Sequence, residues 1–216
     1  MLLFATDILR NDLSTPRWRD LVWLTWAATC AYLIHQFEEH GVDVAGEVYA
    51  FRGSLCAVLG FGQPANCPIP AAFITAVNVP FVWLAGPISA LLGRRWPVIA
   101  LSFFSVVFVN AFAHLAGAFT HGGYNPGLLT AVVLFLPLSL WTFAVAYRSL
   151  PGIATRAILA TVAAGVAVHA VLLGSIAAFL RGWIGRDLLI LVQVVNPAIP
   201  ALIVLLATHI RETPWK

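Results

Sequence analysis

The chain has 216 residues, of which 61% are hydrophobic and only 10% charged, and its mean hydropathy is +0.90. Twelve basic and nine acidic side chains are too few to coat a soluble globule, which is ordinarily about a quarter charged. That excludes an ordinary soluble enzyme, a disordered chain and a disulfide-built secreted domain, and leaves an all-α polytopic membrane bundle. The net charge of +3 is too small and scattered for a nucleic-acid partner. Eleven of the twelve basic residues are Arg, which suggests a GC-rich bacterial genome and places the protein in a bacterial cytoplasmic membrane.

A crossing helix needs about 20 mainly apolar residues, and six segments qualify: Trp18–Glu39, Ala71–Gly93, Trp96–Ala118, Pro126–Tyr147, Thr155–Leu180 and Leu188–Ile210. Pro80 and Pro87 interrupt the second, and Pro197 and Pro200 the sixth; neighbouring helices can satisfy the backbone groups so freed. Trp18, Arg94, Arg95, Trp96 and Tyr147 sit at boundaries as interface anchors. With the N-terminus inside, Arg10, Arg17, Arg19, Arg94, Arg95, Arg148, Arg156, Arg211 and Lys216 share one side, against Arg52, Arg181 and Arg186 on the other. Nine against three predicts both termini in the cytoplasm.

The chain reads as one integral-membrane domain over residues 1–216. Residues 1–17 form a retained cytoplasmic or interfacial segment, whose apolar residues can lie flat on the membrane. Residues 40–70 form an outer loop. That loop holds Cys56 and Cys67, which either bridge in an oxidising compartment or stay unpaired as small hydrophobes; Cys30 lies within the first span.

Ionisable residues within spans are costly and are therefore functional candidates. The first span ends His35-Gln36-Phe37-Glu38-Glu39-His40. At about 100° per residue, Glu38 lies about 60° to one side of His35 and Glu39 about 40° to the other, while His40, about 140° away, faces elsewhere unless the helix has ended. His35 with two carboxylates makes a half-site for a divalent metal, or a proton-sharing triad. In the third span Asn110, His114 and His121 fall within about 40° of arc, and Gly117 opens a notch on that face for a metal or substrate. His114 and His121 stand about 10 Å apart along a continuous helix, so a shared ion requires the helix to break near Phe119 and His121 to fold back. The first and third spans run in the same direction. Their polar ends thus lie at similar depth on one face, and the expectation is a single buried site. An interfacial hydrogen-bond network with no chemistry is the plainer alternative.

On these residues the sequence resembles the HXXEE family of small integral-membrane proteins. His35, Glu38 and Glu39 match the naming motif, Asn110 and His114 an Asn-x-x-x-His motif, and His121, Tyr124, Pro126 and Gly127 a later His and Tyr-x-Pro-Gly element. The resemblance covers roughly the first two-thirds of the chain. It implies a membrane-embedded protein suspected of enzymatic activity, with no assigned reaction and no established metal.

The chemistry therefore rests on the residues. No Ser or Cys stands beside a base as a nucleophile, and the zinc-protease patterns HExxH and HxxEH are absent, as are glycine-rich phosphate motifs. The leading expectation is a metal-dependent enzyme, of hydrolase type, acting on a lipid or other hydrophobic small molecule. His35, His114 and one of Glu38 and Glu39, joined in one version by His121, hold a divalent ion, zinc by preference and iron as the alternative. The other Glu is the general base, and Tyr124 or Asn110 stabilises negative charge on the substrate. The alternatives are a carboxylate-bridged di-iron oxidoreductase, a metal-free isomerase or cyclase, and a proton- or metal-ion-coupled carrier with broken spans at Pro80 and Asn196-Pro197. His169 is read as bonding a neighbouring helix, with a site role as the alternative; His209 as interfacial. Gln193 and Asn196 are read as satisfying the backbone around Pro197 rather than lining a cavity. Arg181 and Arg186 are read as interface anchors rather than head-group ligands. Oligomeric state is not legible.

Overall fold

The computed structural model describes residues 2–61 and 66–208. About 76% of the chain is helical, and no strand occurs among the described residues. In chain order the elements are α1 (Leu2–Ala5), α2 (Leu21–His40), α3 (Ala50–Val58), α4 (Ala71–Gly93), α5 (Pro97–His121), α6 (Leu128–Ser149), α7 (Ala154–Leu180), α8 (Arg186–Val195) and α9 (Ala198–Thr208).

Six spans are predicted from the sequence, and the structure bears on that number. Helices α4 to α7 are long and apolar enough to cross a bilayer, and α8 with α9, bent by 44° at the break, makes a fifth if the pair is one span. Helix α2 has 20 residues, about 30 Å at 1.5 Å each. Its last turns carry His35, Gln36, Glu38, Glu39 and His40, which hold its hydropathy below that of the others. The molecule is an integral membrane helical bundle whose outer surface is apolar: Ile34, Trp83, Ile88, Leu140, Leu159 and Leu206 are all exposed, as lipid-facing side chains should be.

The prolines act in two ways. In α4 the helix widens to a π-turn over Val79–Ala85 and continues past Pro80 and Pro87, which absorbs the missing N–H and the ring's clash with the preceding turn. A second π-turn, Ala131–Phe135, precedes Pro137 in α6. At Asn196-Pro197 the chain breaks instead. Asp20 starts α2: its Oδ1 accepts from Val22 and Trp23 N–H at 2.9 and 3.2 Å, and its Oδ2 accepts from Asn11 and Asp12 N–H. The N-terminal segment is thereby tied to the helix start. Leu3 is buried there and its carbonyl accepts from Trp23 Nε1 at 2.8 Å, while Leu2, Phe4, Ile8 and Leu13 are exposed.

Helix α5 is the central one, 67% of its span buried against 28–33% for the spans of α4, α6 and α7. Helix α7 packs along both α5 and α9. A smaller second core, with Cys56, Cys67, Ile69, Phe73, Ile176 and Leu189, seats α3 and its loop on α4, α7 and α8. Cys56 and Cys67 are bridged, which settles the alternative left open by the sequence; Cys30 is free and exposed. Arg181 stacks over Trp183 and Arg95 over Trp96, at 5.1 and 4.9 Å, an arrangement suited to interface anchoring. His209 and the residues after it lie outside the described residues.

Helices α5 and α7 touch through Gly165, where a Cβ would stand 2.2 Å from the Ser105 carbonyl oxygen and 2.5 Å from Val109 Cγ2; at Gly174 a Cβ would meet nothing within 4 Å. Gly165→Ala should therefore destabilise the bundle by about 1–3 kcal/mol through overpacking. Gly174→Ala should be neutral or stabilising by up to about 1 kcal/mol through helix propensity. Thermal unfolding of the two variants in detergent measures the contrast.

Candidate metal centre

The site is built where the C-terminal ends of α2 and α5 meet the N-terminal end of α6. Helix α2 sends its consecutive carboxylates in two directions, as the 100° step between neighbours requires. Glu39, 6% exposed, turns to α5, where its Oε1 lies 3.3 Å from His35 Nε2 and 3.1 Å from His114 Nε2. Its Oε2 lies 3.5 Å from His40 Nε2.

Glu38 turns to α6. Its Oε1 accepts from Tyr124 Oη at 2.9 Å and Leu129 N–H at 3.1 Å, and its Oε2 from Thr130 N–H at 2.9 Å and the Thr130 hydroxyl at 2.5 Å. The N-cap of α6 is Gly127, which has no side chain to cap with. Glu38 caps the helix from a different element, its charge lying against the positive end of the helix dipole.

The outer ring nitrogens fix both imidazoles. Thr130 Oγ1 gives its proton to Glu38, so at 2.7 Å it accepts from His35 Nδ1–H. His114 Nδ1–H donates to Asn125 Oδ1 at 2.6 Å, and Asn125 Nδ2 donates back to the His114 carbonyl at 2.9 Å. Rings held this way turn both Nε2 atoms toward the Glu39 carboxylate. These three atoms, on residues at most 7% exposed, converge, and His35 Nε2 also has the Asn110 amide nitrogen at 3.1 Å. A metal ion, or a proton shared between a ring and the carboxylate, would satisfy such a cluster.

One donor atom from each of His35, Glu39 and His114 lies within 4.8 Å of the other two. Ligand atoms around a tetrahedral ion with bonds near 2.0–2.1 Å stand about 3.3 Å apart, which the two measured oxygen–nitrogen separations match. Two His and one carboxylate also form a familiar three-ligand set that leaves a fourth position open.

Gly127 makes the approach possible. Its φ is +94°, and a Cβ there would fall 2.6 Å from His114 Cε1, 2.7 Å from His35 Cε1 and 2.9 Å from Glu39 Cγ. Both its conformation and its surroundings exclude a side chain.

Other expected site residues fall differently. From Phe104 helix α5 runs without a break to His121 and ends at Gly122, φ +70°, so His121 does not fold back. It is exposed, borders a cavity beside the cluster, and does not join the three converging residues. The notch at Gly117 takes the Asn125 amide, whose Nδ2 would stand 3.3 Å from a Cβ there. Asn110 borders the cavity with its Nδ2 3.1 Å from His35 Nε2. His40, read from its helical angle as facing elsewhere, is the last residue of α2; its Nε2 reaches both Glu39 and, at 2.8 Å, Asn78 Nδ2. His169 Nδ1 donates to the Gly165 carbonyl of its own helix at 2.8 Å, not to a neighbour. Asn196 donates to the Val168 carbonyl on α7 at 3.2 Å and borders the cavity, rather than serving the backbone at Pro197. Asn125, Thr130 and Asn78 are partners that sequence reasoning missed; an Asn just before Pro126 and a Thr three residues after Gly127 were the available signals.

A family model described as "Protein of unknown function with HXXEE motif" matches residues 26–142, which spans every residue of the cluster. The chain belongs to the HXXEE family. Within this family member the His, the second Glu of the motif and the His of the Asn-x-x-x-His motif form the converging group, while the first Glu clamps α6. No curated protein and no solved structure matches the chain.

Tyr124 lies in the connection between α5 and α6, outside the spans. Burial raises its phenol, with Glu38 adding to the rise and the Val44 N–H opposing it, to about 12 from 10.0. A raised phenol keeps its proton, so the hydrogen bond to Glu38 is fully present below pH 10 and is lost as pH rises through about 12. A tyrosinate absorbance titration, subtracted from that of Tyr124→Phe, should show one phenol with this late midpoint; an ordinary midpoint would place Tyr124 away from Glu38.

Proposed function

We propose that this protein is a membrane-embedded, metal-dependent enzyme of hydrolase type that acts on a lipid or another hydrophobic small molecule in the cytoplasmic membrane of a bacterium, with both termini inside. The observation that carries the reading is the convergence of His35 Nε2, His114 Nε2 and Glu39 Oε1 with the outer nitrogen of each ring already hydrogen-bonded. His35, Glu39 and His114 would hold a divalent ion, zinc by preference. Such an ion, when bound, supplies Lewis acidity that polarises a substrate oxygen and activates water.

The remaining roles follow from position. Thr130 and Asn125 orient the rings and make the inner nitrogens better donors. Glu38 spends both oxygens on four hydrogen bonds, so it is a positioning residue and not the base. Tyr124 donates to Glu38 and accepts from Val44 N–H, and the Asn110 amide, which reaches Tyr32 Oη at 3.4 Å and His35 Nε2 at 3.1 Å, would turn to a substrate oxygen once His35 Nε2 held the ion. The Glu39–His40 pair is the group placed to move a proton. The cavity that Glu39, Asn110 and His114 border has a volume of about 300 Å³ and is otherwise mostly apolar, which suits a hydrophobic substrate. A di-iron centre would need more carboxylate ligands than Glu39 alone supplies, and Glu38 points away.

Purified protein should carry one divalent ion per chain by elemental analysis. Glu39→Gln and His114→Ala should abolish it, whereas Thr130→Val or Asn125→Leu should weaken it about 10–100-fold. Glu38→Gln should lower thermal stability yet retain the ion. Protein free of metal at full occupancy of fold, with activity unchanged in chelator, overturns the proposal.

A further inference from the structure

We infer that the cavity opens sideways between α5 and α7, into the leaflet that holds the outer ends of these helices, and takes one hydrocarbon chain of a lipid resident there. A membrane lipid is thereby named as the ligand of the cavity, with its route; that it is also the substrate rests on the reading above.

Helices α5 and α7 run in the same direction and touch at Gly165, against Ser105 and Val109. Seven residues beyond these two, on the same face of α5, stand Phe112 and Ala116, and both are exposed. The helices have therefore parted within two turns. On α7 the face that carries Gly165 continues into Leu172 and Ile176, which border the cavity.

On α5 the cavity-bordering residues follow one another round the helix as Ala113, Gly117, Asn110 and His114, an arc of about 100°. Ala113, at one edge, is exposed and adjoins Ala116; His114, at the other, is buried in the cluster. Leu173 holds the matching edge of α7. It borders the cavity, is 61% exposed and adjoins the exposed Val166 and Ala170. On each helix the cavity face passes into the outer face with no buried stripe between them. The two faces follow in opposite rotational order on the two parallel helices, so both open edges fall on the same side of the pair.

The depth of this mouth selects the occupant. Ala113 lies eight residues before the end of α5 and Leu173 seven before the end of α7, about 10–12 Å along each helix. The hydrocarbon core of one leaflet is about 15 Å deep, so lipid tails and not water stand at the mouth. On the water side α3 lays Phe51, Leu55 and Val58 against the cavity and is held by the Cys56–Cys67 bridge. Phe73, Leu172 and Ile176 wall the interior, which suits a hydrocarbon chain. Going inward from Ala113, such a chain reaches Asn110 and then His114.

The test is photolabelling of the full chain in phosphatidylcholine liposomes doped with a phosphatidylcholine that carries a diazirine within one acyl chain. Labelled residues are mapped by peptide mass spectrometry. Phe73 and Ile176, 2% and 4% exposed, should be labelled alongside the exposed Leu159 and Leu206. Leu173→Trp and, on the facing helix, Ala113→Trp should each cut the labelling of Phe73 and Ile176 about tenfold by filling the mouth. Both should leave Leu206 labelled as before. Leu159→Trp, on the outer face of α7 away from the mouth, should change nothing inside. Leu173 is not next to a cluster residue, so its variant remains informative if Ala113→Trp, beside His114, folds poorly. Labelling confined to exposed residues, or interior labelling that survives both mouth variants, overturns the inference. The labelling is run on chelated protein. It can therefore succeed where elemental analysis sinks the hydrolase reading, and fail where the ion is found.

Discussion

Two carboxylates on consecutive residues of one buried helical turn are the constraint around which the rest is arranged. Water cannot solvate them there, and side by side they repel. Glu38 and Glu39 are separated by the helix itself, which turns each to a different neighbour. Glu39 receives two imidazoles from α2 and α5, and Glu38 receives the open end of α6. Thr130 links the two halves, since its hydroxyl lies between His35 and Glu38. Moving Thr130 therefore disturbs the surroundings of both carboxylates.

The architecture around the cluster serves this arrangement. α5 is the most buried span and brings Asn110 and His114 inward, while glycines at Gly86, Gly127 and Gly165 permit the close approaches that a bundle without a hydrophobic driving force between helices depends on. The π-turns of α4 and α6 keep proline-containing helices continuous where a break would open the wall. At Asn196-Pro197 the helix does break, and the Asn196 side chain borders the cavity at that bend.

Much of this was legible in the chain. Hydropathy located the spans because lipid leaves few solutions for a polypeptide backbone, and boundaries differed by only a few residues for most helices. The first span was the exception in kind: its polar last turns make it a site helix as much as a spanning one. Helical angles correctly put Glu39 with His35, and Asn110 with His114, on shared faces. They could not assign Glu38, because both carboxylates lie near His35 on the wheel and two of the four donors that draw Glu38 away are backbone N–H groups, which every residue but proline has. His40 escaped the same arithmetic because α2 ends on it, freeing a long side chain to swing back toward Asn78 and Glu39. Asn125 was hidden within a turn motif whose Gly and Pro attracted attention as punctuation, although its amide is what holds His114.

The Glu38 clamp also bears on how the molecule is made. Its partners in α6 come 91 and 92 positions later in the chain, and no nearer residue of α2 supplies them. A nascent chain emerging in order thus presents the acidic end of its first helix well before the donors exist. Until α6 arrives, that end is best accommodated in the polar head-group layer, and the helix can take its final depth only afterwards. Assembly of the centre is in this sense a late, long-range event, in which the fourth of the long helices completes what the first began.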